Sequence, residues 1–176
     1  MPSLTSVRPG SDEYAPYYGR YVDQVPRGDV LEILEQGRRE THQLLGRLSE
    51  TKGAHRYEPG KWSIKGVVGH VTDAERVFAF RALWFARGDA SPLPGWEQDD
   101  WARTSSCDAL TLKDLLAGYD AQRDATLALF RSLPADAWSR RGTASGNPVT
   151  VRALAWITAG HERHHLTILR ERYLEG

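Results

Sequence analysis

The sequence predicts an all-α fold, a four-helix bundle, and three observations carry that expectation. Four segments of roughly 22–25 residues repeat apolar side chains at helical spacing. Each is bounded by capping residues or helix breakers. No alternating run framed by hairpin turns marks a strand. At ~1.5 Å per residue the helices would be about 33–38 Å long, a matched set suited to a bundle.

Before the bundle comes an arm, residues 1–28. It holds Pro2, Pro9, Pro16 and Pro26, which break helices, and Tyr14, Tyr17, Tyr18 and Tyr21, which suggest that it packs onto the body. Residues 29–176 form the bundle, read as a single domain. The first helix is expected over 29–50, capped by Asp29, with Leu31, Leu34, Leu45 and Leu48 as its stripe. The second spans 63–87, from Ser63 after Pro59-Gly60 to Arg87-Gly88. A long link, 88–110, follows; links of that length in a compact domain are usually functional or packed lids. The third helix spans 111–133, opened by Thr111 and closed before Pro134. The 134–149 link has the composition of a flexible connection, and the fourth helix spans 150–174, with Thr150 before V-R-A-L-A-W-I.

Bulk properties narrow the function. The chain has 176 residues, enough for one sizeable core, and Lys+Arg balance Asp+Glu at 23 each. That balance, with no basic block, argues against a nucleic-acid binder. No apolar run approaches the ~20 residues that span a bilayer, and Met1–Gly10 has no apolar core, so a cytoplasmic, membrane-free protein is expected. Cys107 is the single cysteine, so any metal site draws mainly on His, Asp and Glu.

The fourth helix carries G-H-E-R-H-H at 160–165. On a helix of about 100° per residue, with His161 at zero, His165 lies near +40° and His164 near −60°. Leu154, Ile157 and Ile168 fall at about +20°, −40° and −20°, so His161 and His165 sit within the apolar stripe. Two unpartnered buried imidazoles are costly, whereas an i, i+4 pair can share a metal ion. On the second helix His70 shares its face with Ala74, Val77 and Trp84, and it supplies a third donor. Asp73, at the edge of that face, reads as a hydrogen-bond partner of a ligand or as a solvated charge. Arg81, within the stripe, reads as paired with a carboxylate, bound to an anionic ligand, or snorkelling. His42, His55 and Cys107 read as ordinary structural or surface residues.

His161–His165 also spells H-E-x-x-H, a zinc-peptidase signature with Glu162 as general base. The longer metzincin pattern fails, because Ile168 stands in place of its glycine and Glu171 in place of its third histidine. With no strand edge to bind a peptide, the spelling reads as coincidental. Glu162 is then left without a role, and His164 outside the site.

Taken together, Y-A-P-Y-Y-G-R-Y-V-D-Q-V-P, R-Y-E-P-G-K-W-S-I-K-G-V-V-G-H-V-T-D-A-E-R, F-R-A-L-W-F-A-R-G-D…P-L-P-G-W-E-Q-D-D-W and V-R-A-L-A-W-I-T-A-G-H-E-R-H-H-L-T-I-L resemble the DinB-like superfamily of metal-binding four-helix bundles. The branch is that of bacillithiol-transferase-like proteins and metal-dependent hydrolases. The resemblance implies metal ligation by a second-helix histidine and a later H-x-x-x-H pair, which match His70, His161 and His165. It also implies thiol-linked chemistry, with a small thiol such as bacillithiol or mycothiol as one partner and an electrophile as the other. The family name refers to DNA-damage induction and implies no DNA binding.

Imidazole ligands suit Zn, Ni or Fe, with Zn or Ni favoured. Three neutral histidines leave the ion's charge uncompensated, so an open position would activate a thiol or a water. Three functions stay open: a metal-dependent thiol transferase, a hydrolase using metal-bound hydroxide, and a non-enzymatic metal- or ligand-binding bundle. Trp96, Glu97, Asp99, Asp100 and Trp101 of the 88–110 link form a candidate lid or thiol-binding wall, with simple packing of the tryptophans as the alternative. A homodimer is expected of an apolar bundle with a packed arm.

Overall fold

The computed structural model describes residues 3–175; Pro2 of the arm lies outside the described residues. The arm ends in a single turn, α1 (Gly19–Val22). The bundle is built from α2 (Val30–Leu45), α4 (Ile64–Ala86), α6 (Leu112–Arg131) and α7 (Val151–Ile168), with short turns α3 (Glu50–Gly53) and α5 (Gln98–Thr104) in the links. α2 and α4 each pack against both α6 and α7. No helix is long and apolar enough to cross a membrane.

All four expected caps are in place. Asp29 accepts from Leu31 N–H, Ser63 from Gly66, Thr111 from Asp114 and Thr150 from Ala153, at 2.9–3.0 Å. Each satisfies a backbone donor otherwise left open and contributes about 1 kcal/mol. The boundaries differ at two places. The first helix stops at Leu45 rather than 50, because Ser49 caps a new turn by accepting from Lys52 N–H at 3.1 Å. The fourth changes to π-helical winding over Leu169–Leu174.

The expectation of no strand needs correction. Residues 141–150 form an antiparallel hairpin, β1 (Arg141–Ala144) with β2 (Asn147–Thr150). Ser145 and Gly146 take φ of 52° and 75°, the two-residue left-handed turn that matches strand twist. Each strand is four residues long and Pro148 lies in one, so no alternation is visible in the sequence. Leu93 of the 88–110 link joins this hairpin through hydrogen bonds with Thr143 and Ser145.

Two apolar clusters fill the bundle. One includes Leu34, Phe78, Phe85, Leu127, Phe130 and Trp156. The other includes Leu45, Ile64, Leu115, Leu116, Leu166 and Leu169. Each long helix also contributes to a buried polar cluster, through Thr41, Glu75, Arg123 and Glu162.

The arm is fastened onto α7. Arg8 donates to the carbonyls of Val22 and Val25 and stacks over Trp156. Glu13 accepts from Arg152 at 2.6 and 3.1 Å, from Thr150 Oγ1 at 2.7 Å and from Gly10 N–H at 2.9 Å. α1 lies so close to α7 that a Cβ at Gly160 would overlap the Tyr21 carbonyl. The glycine before His161 is therefore what lets Tyr21 reach that histidine.

Burial pushes the Glu13 carboxyl up, but its hydrogen bonds from Arg152, Gly10 and Thr150 outweigh this and hold it below its usual 4.5. A depressed folded-state pKa adds stability that is fully present above the unfolded value and lost as pH falls through the folded one. Glu13→Gln is expected to cost about 1.5–3 kcal/mol at pH 7. In urea denaturation the gap from wild type should close as pH drops below about 4.5, the ordinary carboxylate range. A gap that stays constant with pH would show that the carboxylate charge does not hold the arm.

Candidate metal centre

α4 supplies His70 and α7 supplies His161 and His165, one turn apart. The three imidazoles form a near-regular triangle, with ring centroids 5.0, 4.9 and 4.6 Å apart. His70 Nε2 lies 3.1 Å from His161 Nε2, and one ring nitrogen from each of the three falls within 4.8 Å of the others. Among the described residues this is the group of His, Cys, Asp or Glu donors close enough to share an ion. A tetrahedral zinc with nitrogen ligands at about 2.0–2.1 Å sets those nitrogens roughly 3.3 Å apart. The spacing therefore fits a divalent ion.

Burial keeps the triad uncharged. It pushes His70 down to about 4, partly countered by Asp99, and holds His161 and His165 well below the ordinary imidazole range, with mutual repulsion as the second cause. A neutral imidazole is the form that ligates metal. Aromatic rings enclose it: Trp62 against His70 at 4.7 Å, and Phe78 and Tyr21 against His161 at 5.7 and 5.3 Å. His164, the third histidine in the string, turns toward Tyr21 and Gln24 and lies outside the triad.

Behind the triad sits the polar layer. Arg123 is fully buried, and burial alone would depress it, but the Glu162 and Glu75 carboxylates raise it well above its usual range. Its Nε and Nη2 donate to Glu75 at 2.9 and 2.8 Å, Nη2 also donates to Glu162 at 2.9 Å, and Nη1 donates to the Leu34 carbonyl. Thr41 Oγ1, at 2.8 Å, and the Tyr119 hydroxyl donate to the remaining Glu162 oxygen. One cation faces two carboxylates in this cluster. A cavity of about 20 Å³ is bordered by both Glu162 and His165, so layer and triad are neighbours.

The remaining expectations divide. Asp73 pairs with Arg76 at 2.7 Å and belongs to the surface. Arg81 is buried without a carboxylate; it donates to the Pro94 carbonyl at 2.7 Å and Ser145 Oγ at 3.0 Å and stacks on Trp96. It ties α4 to the hairpin and the long link. His42 bonds Asp120 at 2.9 Å, and His55 lies beside Tyr173. Cys107 packs against Gly69. In the 88–110 link, Trp96, Glu97 and Asp99 border the triad's cleft, whereas Asp100 pairs with Arg103 and Trp101 is half-exposed against Trp96. Sequence reasoning missed Glu162, Glu75 and Arg123. The signal was present: Arg123 shares a face with Leu116, Tyr119 and Leu127, as His70 does with its apolar neighbours.

Comparison with known proteins agrees with this architecture. A family model described as the DinB superfamily matches residues 33–169, and the chain belongs to that superfamily. A curated protein of Geobacillus kaustophilus (strain HTA426), named "Putative metal-dependent hydrolase GK0616", is 26% identical over 113 residues. That match takes in 62% of this chain and 62% of the relative's length. Among solved structures, YfiT from Bacillus subtilis superposes with a TM-score of 0.73 at 15% identity, covering 96% of this chain and 94% of YfiT. It is described as "a probable metal-dependent hydrolase with an unusual four-helix bundle topology". A mycothiol-dependent maleylpyruvate isomerase superposes with a TM-score of 0.68 at 17% identity, covering 83% of this chain and 61% of that one.

Removing one member of a buried ionic cluster strands the others. Glu162→Ala is expected to cost about 3–5 kcal/mol, and Asp73→Asn less than about 0.5 kcal/mol, in urea denaturation. Equal effects of the two substitutions would contradict the assignment of Glu162 to the core.

Proposed function

We propose that this DinB-superfamily chain holds a divalent transition ion on His70, His161 and His165 and uses it to activate a small thiol for attack on an electrophile. The observation that carries this reading is the cluster of three uncharged imidazoles, two buried and His165 partly buried, that borders two open clefts. Bound there, the ion supplies Lewis acidity that favours the deprotonated form of a thiol or water. The protein's own part is placement. His70 from α4 and the His161–His165 pair from α7 set the donor triangle, and burial keeps each ring neutral. Glu162 of the Arg123 cluster, which borders the same small cavity as His165, favours a cation nearby. In the transfer the thiol loses its proton, sulfur bonds to the electrophilic carbon, and the leaving group departs with the electron pair. Similarity in fold to a mycothiol-dependent enzyme supports a thiol as nucleophile.

A second reading, hydrolysis with water as the nucleophile, is favoured by the names of two relatives. Zinc and nickel are the expected ions, since three imidazoles suit both.

Metal analysis tests the site. His70→Ala, His161→Ala and His165→Ala are expected to lose bound metal, while His164→Ala retains it; full stoichiometry in all three triad variants would overturn the assignment. Turnover tests the reaction. Metal-loaded protein is expected to accelerate the coupling of bacillithiol to monochlorobimane, and His161→Ala to abolish that acceleration. Absence of acceleration together with ester or amide hydrolysis that disappears in His161→Ala would replace the first reading with the second.

A further inference from the structure

Arg81 is the one buried arginine whose charge meets no carboxylate among the described residues. Arg123, the other fully enclosed arginine, faces Glu75 and Glu162. Burying a lone guanidinium is costly, and the Pro94 carbonyl and Ser145 Oγ that accept from it are uncharged. A cation left in that state points to an anion that comes from outside the chain.

Its neighbours show where such an anion would sit. Arg81 stacks on Trp96, donates to Ser145 Oγ at 3.0 Å and lies within hydrogen-bonding reach of the Tyr18 hydroxyl. Tyr18, Trp96 and Ser145 all line the cleft of about 310 Å³ that His70 and His161 also border. A hydroxyl that accepts from a guanidinium keeps its own O–H to donate. The Ser145 O–H has no acceptor among the described residues. Ser145 also holds a left-handed backbone, φ 52°, a conformation that glycine or asparagine adopts at less cost. What serine adds to the turn is the hydroxyl. Burial raises the Tyr18 hydroxyl above its usual 10.0, only partly offset by Arg81, so it too keeps its proton at neutral pH and can donate.

Net charge in the cleft does not decide the matter. Glu97 and Asp99 border it, and Arg20 lies over Tyr17 and Tyr21. Those three are exposed, where water and salt screen them, whereas the Arg81 charge is buried and screened far less.

Helix geometry sets the distance to the triad. Arg81 follows His70 by eleven residues on α4, close to three turns, so the two share a face about 16 Å apart along the axis. Helical side chains lean toward the N-terminus, which brings the guanidinium back toward His70 and leaves on the order of 10 Å to span. Phe78 stands between the two ends, its ring 6.2 Å from Tyr18 and 5.7 Å from His161.

Resting on the metal site proposed above, we infer that the Tyr18 and Ser145 hydroxyls, backed by Arg81, form a carboxylate subsite at the far end of this cleft. Triad and subsite together take an elongated molecule with its reactive atom at one end and a carboxylate at the other.

The test uses cobalt-loaded protein, in which a thiolate-to-cobalt charge-transfer band reports a thiol on the ion without turnover. The probes are 8-mercaptooctanoate, whose extended chain matches the span, its uncharged counterpart 8-mercaptooctanol, and 3-mercaptopropionate, which is too short. Wild type is expected to bind 8-mercaptooctanoate about tenfold more tightly than 8-mercaptooctanol, the equivalent of one charge-assisted hydrogen bond. Arg81→Gln keeps an N–H donor, removes the charge and should bring the two within about twofold. Tyr18→Phe, which keeps the ring and leaves the Arg81 contacts to Pro94 and Ser145 in place, should cut the advantage to about threefold; it carries the result if Arg81→Gln does not fold. Affinity for 3-mercaptopropionate should be unchanged in both variants. Equal wild-type affinities for the two long thiols, an advantage that survives in the variants, or an equal loss for the short thiol overturns the subsite. Absence of the band with every thiol would defeat the metal–thiol reading instead. Calorimetric titration with octanoate then decides the subsite: binding weakened severalfold by Tyr18→Phe supports it. Binding that is absent, or unaffected by Tyr18→Phe, overturns it.

Discussion

Arg123 has no contact with water, so its charge must be met inside the bundle. Glu75 and Glu162 meet it, the Leu34 carbonyl takes a further donor, and Thr41 and Tyr119 satisfy the oxygen of Glu162 that faces away. These partners come from all four long helices. Apolar packing tolerates sliding of one helix on another, whereas a buried guanidinium with fixed donors does not. The layer therefore sets the relative height of α4 and α7, and with it the height of His70 against His161 and His165. Such clusters add little net stability compared with apolar packing, but they are costly to break. Their value here is registry.

The same layer bears on chemistry. Three imidazoles held neutral by burial supply no charge to offset a divalent ion. Glu162, which borders the same small cavity as His165, brings a carboxylate of the Arg123 cluster near them, where it would favour a cation. Glu162 is thus an ionic anchor of the core rather than the base of a peptidase, although it stands where H-E-x-x-H would put that base. Gly160, one position ahead of the triad, does something comparable for the arm. It removes the Cβ that would keep Tyr21 away, so the arm supplies a wall of the smaller cleft.

Much of this was legible in the sequence. The four caps Asp29, Ser63, Thr111 and Thr150 act where short polar side chains precede apolar periodicity, because capping is a local interaction. The inward face of His161 and His165, and the opposing face of His70, follow from helical spacing alone. What was hidden depends on distant partners. The hairpin was missed because its strands are too short to alternate and one contains Pro148. The role of Glu162 is not visible locally, because its neighbours on α7 say nothing of Arg123, which lies 39 residues away in sequence. Arg81 could be placed within a stripe, but its bonds to Pro94 and Ser145 come from a link and a turn whose course local spacing does not reveal.

The ion is proposed to rest on three imidazoles delivered by α4 and α7. X-ray absorption at the metal edge of the reconstituted protein tests it most directly. A shell of three imidazole nitrogens at about 2.0–2.1 Å, completed by a light oxygen or nitrogen donor, is the expected result. A protein sulfur at about 2.3 Å, which only Cys107 or Met1 could supply, or a shell of carboxylate oxygens, would contradict it.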